Sequence, residues 1–565
     1  MTSIKQQLER SLSKALGEFD IKDVTLQQAP SHTGADFASS IALVLAKKQK
    51  KNPQEIAQQI KDMLEKEESI KGFVERIEVA QGGFINFFIS QSRLGKELQK
   101  IIKKKGEYGA QDIGKGKTVV IDYSGPNIAK RFSVGHLRST VIGQALYNLY
   151  KFLGYKVIGD NHLGDWGTQF GMIIAQVANK NLDASTLDVD FLEKLYVEFN
   201  KEMANDPELK NQAKFWFKKL EEGDSQAREI WQAVVKTSLR EFEKIYAALD
   251  IHIDNAYGES FYEKKMQHVL EELEQKHLVK DSEGARVVEV GENMPPAILI
   301  KSDGTTTYLL RDLATIRFRL QQWQPDEIIY EVGSDQILHF RQLFSIADQL
   351  GWSKGKIFKH VAHGLIRFKE GKMSTRQGKT VKLEEVLEEA IKRARDIIER
   401  SETGRGLDNK EKEDVAKAVG IGAIKYFDLS HHPSSDIIFD WEKLFMLEGN
   451  SAPYLQYTNA RIQSILTKAS SHPALSAQVF QDAETKVVRA LIHFPDIVQT
   501  SAMQYSPNLL ANFLFDLAQT YNHFYVGNRV LGSEREQVRL ALSQAVAHIL
   551  QNGLRLLGIQ SPSRM

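Results

Sequence analysis

Apolar residues recur every three or four positions in ADFASSIALVLAKK and PQEIAQQIKDMLEK, a spacing that predicts amphipathic helices. The opening MTSIKQQLERSLSKALGEF reads as another. VERIEVAQGGFINFFIS alternates around Ile77 and Val79, breaks at Gly82 and Gly83, and resumes from Phe84 to Ile89, which predicts strand, turn, strand. KKKGEYGAQDIGKGK is glycine-rich and charged, a linker composition. Thr118 to Ile121 then form a β-branched run suited to a strand buried on both faces. The turn DYSGPN follows, and after it a helix with Leu137, Val141, Ala145 and Leu149 on one face. YKVIGDNHLGDWG repeats strand and loop, and DEIIYEVGSDQ with ILHFRQLFSIADQLG repeats strand, loop, helix. This alternation predicts a parallel, doubly wound sheet. A long helical stretch at about 183–290 interrupts it and reads as an insertion. From about 435 the pattern predicts helices alone. Ser506-Pro507 is expected to start one of them, with Leu510, Phe513, Leu517, Tyr521 and Phe524 on its apolar face. Ser533 and Glu536 are expected to form a capping box at the head of another.

A chain of 565 residues suits roughly three or four domains. Lys plus Arg is 74 and Asp plus Glu is 73, so overall charge does not announce a polyanion partner. Basic residues cluster locally, at Lys47, Lys48, Lys50 and Lys51 and at Lys103, Lys104 and Lys105, where a solvated face is the plainer reading. The absence of cysteine excludes disulfides and thiolate zinc sites. No apolar run reaches the ~18 to 20 residues of a membrane helix, so no membrane partner is expected. With no secretory signal either, the cytoplasm is the expected compartment.

Two segments carry candidate chemistry. DYSGPNIAKRFSVGHLRST follows the first sheet strand, where open parallel sheets bind ligands. A helix starting there offers free N–H groups to phosphates. Gly135 permits close approach of the backbone, His136 can donate to phosphate oxygens, and Lys130 adds positive charge. GLIRFKEGKMSTRQGKTVKLEEVL is a loop dense in small, hydroxyl and basic residues, able to close over a triphosphate. Each segment alone has an ordinary alternative, a capped core helix or a solvated basic hairpin.

Together they resemble a known family. SVGHLRS looks like the HIGH motif and KMSTR like the KMSKS motif of class I aminoacyl-tRNA synthetases. GPNIAK, DNHLGDWGTQFG, YLLRDLAT and VGSDQILHF narrow the resemblance to the arginyl-tRNA synthetases. GGFINF resembles that family's added N-terminal domain, and YLQYTNARIQSI its anticodon-binding bundle. The resemblance implies a multidomain α/β chain. Its parts are an α+β N-terminal domain at 1–112 that meets the tRNA elbow and a Rossmann-like parallel-sheet catalytic domain at 113–385 with the helical insertion. A helical connecting region at 386–440 and an all-α anticodon-binding bundle at 441–565 complete it.

The reaction it implies is ATP-dependent ligation of L-arginine to tRNA(Arg) through arginyl-adenylate, with AMP and pyrophosphate released. No protein nucleophile is required, so catalysis is positioning and electrostatics. By position, Ser133, Gly135, His136, Lys372, Met373 and Ser374 are expected to bind ATP. Asn127 and Gln336 would take the amino and carboxylate ends of arginine, and Asp122, Asp312 and Tyr308 would surround its guanidinium. His162, Asp165 and Trp166 would shape the pocket. Ser133 stands where the family motif has its first histidine, and Thr375 where KMSKS has its second lysine. Lys130 is expected to replace that lysine's charge, assisted by Lys372 and Arg376. Tyr454, Tyr457, Arg461 and Arg529, with Tyr521, Phe524 and Tyr525, are the aromatic and basic candidates for tRNA contact. Mg2+ is expected as the ATP complex, with no zinc, and the chain is expected to act as a monomer. Three rivals share parts of this pattern: a class I synthetase for another amino acid, a small nucleotidyltransferase with the same motif, and a non-catalytic RNA-binding relative.

Overall fold

The computed structural model describes residues 2–17, 24–291, 293–368, 381–401, 404–474 and 479–565. Ser3 opens the helix Ile4–Ala15 with a reciprocal capping box: its hydroxyl accepts from the Gln6 amide, and the Gln6 side chain accepts from the Ser3 amide. Strands β1 (Gln27–Gln28), β2 (Phe37–Ser39), β3 (Val74–Val79) and β4 (Ile85–Ile89) form an antiparallel sheet in the order β1-β2-β4-β3. Its hairpin turns at Gly82 and Gly83, both with positive φ.

The central sheet contains β5 (Thr118–Asp122) and β6 (Lys156–Asp160), and, much later in the chain, β10 (Glu327–Gly333) and β11 (Ile357–His363). All neighbours are parallel, in the order β11-β10-β5-β6. Both faces are covered, which explains the β-branched runs. Val119 and Ile121 pack with Val141, Ala145 and Leu149 of the helix Leu137–Phe152. Val120 points the other way, to Ile328, Leu313 and Phe340. The chain leaves β5 toward β6 on one side and returns through β10 on the other. The carboxyl ends of β5 and β10 therefore flank the crevice at the switch point.

Strands β7 (Val279–Ser282), β8 (Ala285–Val288) and β9 (Ala297–Ile300) form an antiparallel sheet. The first two lie inside the stretch expected to be helical. Glu283 and Gly284 make a two-residue loop with φ of 49° and 78°, the primed-turn geometry that closes a hairpin. Strands β12 (Ile366–Phe368) and β13 (Ile437–Phe439) pair in parallel. β13 lies where only helices were expected; three apolar residues between Asp436 and Asp440 are too short for a helix but complete a ribbon.

The C-terminal region packs the helices Ala452–Lys468, Asp482–Leu491, Phe494–Met503, Asn508–Gly527 and Glu536–Leu556. Leu510, Leu517, Tyr521 and Phe524 are buried and Phe513 partly so, as the spacing predicted. Two caps differ from expectation. The Ser506 hydroxyl donates back to the Gln504 carbonyl, and the helix begins at Asn508. Ser533 donates to the Val530 carbonyl rather than capping, because the Glu536 carboxylate is taken by the Ser471 hydroxyl and the Gly532 amide. Among the described residues, no helix is long and apolar enough to cross a membrane.

Candidate active site

The loop after β5 turns sharply through Ser124, Gly125 and Ala129, all with positive φ. It leads into a short 3-10 turn, Val134–His136, and then the helix Leu137–Phe152. The Ser133 amide donates to His136 Nδ1 at 3.1 Å, so Nδ1 is an acceptor and Nε2 carries the ring proton. Burial lowers the His136 pKa, helped by the charge of Lys130, and the ring is neutral at physiological pH. A neutral imidazole with an Nε2–H donor at a helix start is suited to a phosphate oxygen. Gly135 is exposed beside it.

The second segment's core falls outside the described residues: Lys372, Met373, Ser374, Thr375 and Arg376 belong to 369–380. Its flanks are described. β12 leads into it, held by β13. On the far side, the Val134 amide donates to the Val381 carbonyl at 3.1 Å and the Leu383 amide to the Phe132 carbonyl at 3.0 Å. Lys130, Arg131 and Phe132 line one cleft with Lys382 and Glu384. Arg131 pairs with Glu384 at 3.3 Å and also with Asp190, which Lys382 reaches at 3.1 Å. The Lys130 ammonium lies 5.2 Å from the centre of the Tyr196 ring.

Acidic groups line the floor in two settings. Asp122, at the end of β5, accepts from Arg319 Nη2 at 2.7 Å, and Asp160, at the end of β6, is 2.8 Å from the same guanidinium. Burial works against the charge of Arg319, but the two carboxylates outweigh it and hold the group firmly protonated. Asp312 is different. One turn after Tyr308 on the helix Tyr308–Trp323, it receives His339 Nε2 at 2.6 Å, with His162 Nε2 at 3.7 Å. Burial would raise its pKa, yet the His339 hydrogen bond and the neighbouring imidazoles and Arg311 hold it below the usual carboxylate range. Its side chain is 23% exposed, so it remains reachable. Arg311 turns to Glu259 at 3.1 Å, whose carboxyl burial pushes up to about 8. Tyr308 is 65% exposed, and Asn127 and Gln336 are also exposed. Arg319 and His339 were not anticipated; Arg319 follows Asp312 at i+7 on the helix face that also carries Thr315, a polar stripe visible in the sequence.

The loops have a common support, the helix Ser225–Leu249. Ser238 Oγ accepts from the Ala129 amide, Tyr246 Oη bonds Ser124 Oγ and Asn161 Nδ2, and Trp231 Nε1 donates to the Asp165 carbonyl. In the C-terminal bundle, Arg461 lies 4.7 Å over the Tyr457 ring and donates to Asn522, which donates to the Tyr454 hydroxyl. Arg529 is exposed, donating to the Leu531 carbonyl. His431 and His432, adjacent in sequence, bond the Phe427 carbonyl and Ser434 respectively.

A doubly wound sheet that puts a phosphate-reaching helix start against the flank of a second basic segment is the catalytic arrangement of class I aminoacyl-tRNA synthetases. The family model described as tRNA synthetases class I (R), catalytic domain, matches residues 97–441. The DALR anticodon binding domain matches 455–565, and the arginyl tRNA synthetase N terminal domain matches 2–89. The arginine–tRNA ligase of Streptococcus uberis is 41% identical over 99% of this chain and 100% of its own length. That of Clostridioides difficile is 38% identical over the whole of both. The crystal structure of arginyl-tRNA synthetase from Plasmodium falciparum superposes with a TM-score of 0.85 at 27% identity, covering 100% of each chain. The Thermus thermophilus enzyme gives 0.85 at 25% identity, covering 99% of this chain and 100% of its own. The chain belongs to the arginyl-tRNA synthetases: it uses ATP to ligate arginine to tRNA(Arg) through arginyl-adenylate.

Proposed function

We propose the following division of labour within this reaction. The substrate's carboxylate oxygen attacks the α-phosphorus of ATP, and pyrophosphate leaves carrying the displaced electron pair. His136 Nε2–H, Ser133 and the backbone at Gly135 hold the phosphates, with Met373 and Ser374 closing over the nucleotide. Lys130 supplies the positive charge that KMSKS proteins take from the lysine replaced here by Thr375, and Lys372 and Arg376 assist. Asn127 and Gln336 hold the amino and carboxylate ends of arginine. Asp312, with Asp122 and Tyr308, receives the guanidinium, whose planar fork matches a carboxylate in a way that a lysine ammonium does not. Mg2+ would enter with ATP as part of the substrate complex and would offset phosphate charge, and no zinc is called for. Tyr454, Tyr457, Arg461 and Arg529 contact tRNA(Arg), and the enzyme works as a cytoplasmic monomer.

The observation that supports this most is the backbone pairing of 132–134 with 381–383, which ties the end of one motif segment to the other. Single-turnover adenylation tests it. Lys130→Ala is expected to slow the step by about 30- to 1,000-fold, the loss of ~2 to 4 kcal/mol for one transition-state charge contact. Adenylation within twofold of wild type in Lys130→Ala, together with its abolition in Arg376→Ala, would reassign the charge to the second segment.

A further inference from the structure

Lys425 is 1% exposed, on the helix Asn409–Leu429. A buried ammonium is expensive, and apolar residues of similar volume commonly fill such positions at no loss of stability. Its position therefore needs a reason beyond packing. Its Nζ donates to the Leu249 carbonyl at 2.5 Å, the final residue of the helix Ser225–Leu249. That end of a helix carries partial negative charge and unsatisfied carbonyls, so a cation there is a cap. Burial lowers the Lys425 pKa to about 8, against the opposing pull of Asp250.

The surroundings are built to keep the ammonium in place. Gly558 has φ 68°, a backbone conformation that favours glycine, and a Cβ there would sit 2.8 Å from Nζ and press on it. Asn148 donates to the Leu556 carbonyl just before it and accepts from Gln144, which in turn receives the His252 amide. Two turns earlier on Lys425's own helix, the chain meets the C-terminal bundle: Gln456 donates to the Ala418 carbonyl, and also to the carbonyl of Gln560 beyond the last helix. One ammonium thus joins the helix that carries the bundle to the helix that supports the loops of the adenylation site. Ser238, Tyr246 and Trp231, which hold Ala129, Ser124 with Asn161, and Asp165, all lie on the capped helix.

We propose that Lys425 is a positioning residue for arginine activation: by capping the helix Ser225–Leu249 it sets the register of the two loops, after β5 and after β6, that adjoin the candidate site. It touches no substrate and acts through that helix.

The test uses the full chain with arginine, ATP and tRNA(Arg). Competent sites are counted independently of rate, from the stoichiometry of tight tRNA(Arg) binding, so unfolded molecules drop out and kcat is expressed per site. Lys425→Met is expected to lower kcat per site about tenfold and leave the KM for tRNA within twofold. Ser238→Ala removes one of the helix's links to the loops. Combined with Lys425→Met, it is expected to lower kcat by clearly less than the product of the two single effects, because both act through one helix. A Lys425→Met enzyme with kcat per site within twofold of wild type overturns the proposal, whether or not fewer of its molecules bind tRNA. So does a double variant whose losses simply multiply.

Discussion

The amide of Val134 donates to the carbonyl of Val381 at 3.1 Å, joining two positions almost 250 residues apart. One of them lies between Ser133 and Gly135, the other immediately beyond 369–380. The start of the first motif segment and the described flank of the second are thereby joined by one backbone ladder rather than standing as two independent loops. Positioning of this kind is what a reaction without a protein nucleophile depends on.

His136 is the first residue to test. With Nδ1 committed as an acceptor, only Nε2–H is left to meet a phosphate. His136→Ala is expected to slow adenylation by about 10²-fold, with the KM for arginine little changed, as measured by quenched-flow. Burial lowers this histidine's pKa below its ordinary 6.5, so the neutral ring dominates above that pH. The His136-dependent part of the rate should therefore be flat from pH 6.5 to 8. A limb centred in that interval and absent from the variant would contradict the neutral-donor assignment.

Asp312 makes a separable prediction. Its carboxylate is held ionised by His339 and His162 while staying partly exposed. Asp312→Asn keeps the shape and removes the charge. The KM for arginine should rise roughly 10- to 150-fold, the worth of a hydrogen bond to a charged group, while the KM for ATP holds. Lysine should remain rejected. An arginine KM within threefold of wild type would shift guanidinium recognition to the Asp122 side of the floor.

Much of this architecture could be read before any coordinates. Thr118–Ile121 announces itself because a strand buried on both faces needs an apolar run, and Lys156–Asp160 and Glu327–Gly333 do so because each repeats the strand-then-loop pattern. The Val279–Val288 hairpin did not, because its strands are short, half exposed and rich in charge. Caps were the weakest point: the sequence pairs Ser533 with Glu536, but Ser471, 65 residues from Glu536, takes the carboxylate. The same limit applies to Arg319. Its polar stripe is visible in one helix, but its partners Asp122 and Asp160 come from two different strands, and only the folded sheet brings them together. Long-range partners of this kind leave no local periodicity.

Asp36 predicts a pH dependence of stability. It is 2% exposed, accepts from the Ile89 amide and pairs with Arg489 of the C-terminal bundle at 2.8 Å. Burial outweighs that partner and raises its pKa to about 6. The folded state therefore binds this proton more tightly than the unfolded chain does. Its ionisation penalises the fold fully above pH 6, and the penalty fades as pH falls from that value to the carboxyl's ordinary 3.8. The size is on the order of 3 kcal/mol. Asp36→Asn should melt higher than wild type at pH 8, and the gap between the two thermal midpoints should narrow steadily as pH falls from 6 toward 4. A gap that widens on acidification would mean that Arg489 holds the carboxylate ionised after all.

Arg461 distinguishes RNA contact from core packing in the bundle. Its guanidinium lies 4.7 Å over Tyr457 and 5.6 Å from Tyr525, with Nη1 bonded to Asn522. A flat cation layered with two partly buried tyrosines is a surface on which an unstacked base can settle. Loss of one such platform is worth about 1 to 3 kcal/mol. Arg461→Ala should therefore raise the KM for tRNA(Arg) roughly 5- to 150-fold, leave the KM for arginine and ATP unchanged, and steepen neither the urea nor the thermal transition. If the layer serves only to pack the helices Ala452–Lys468 and Asn508–Gly527, the variant will instead melt earlier with its tRNA KM intact. Tyr457→Leu, which keeps apolar volume but removes the ring face, should follow the same pattern as Arg461→Ala under the RNA reading and stay near wild type under the packing one.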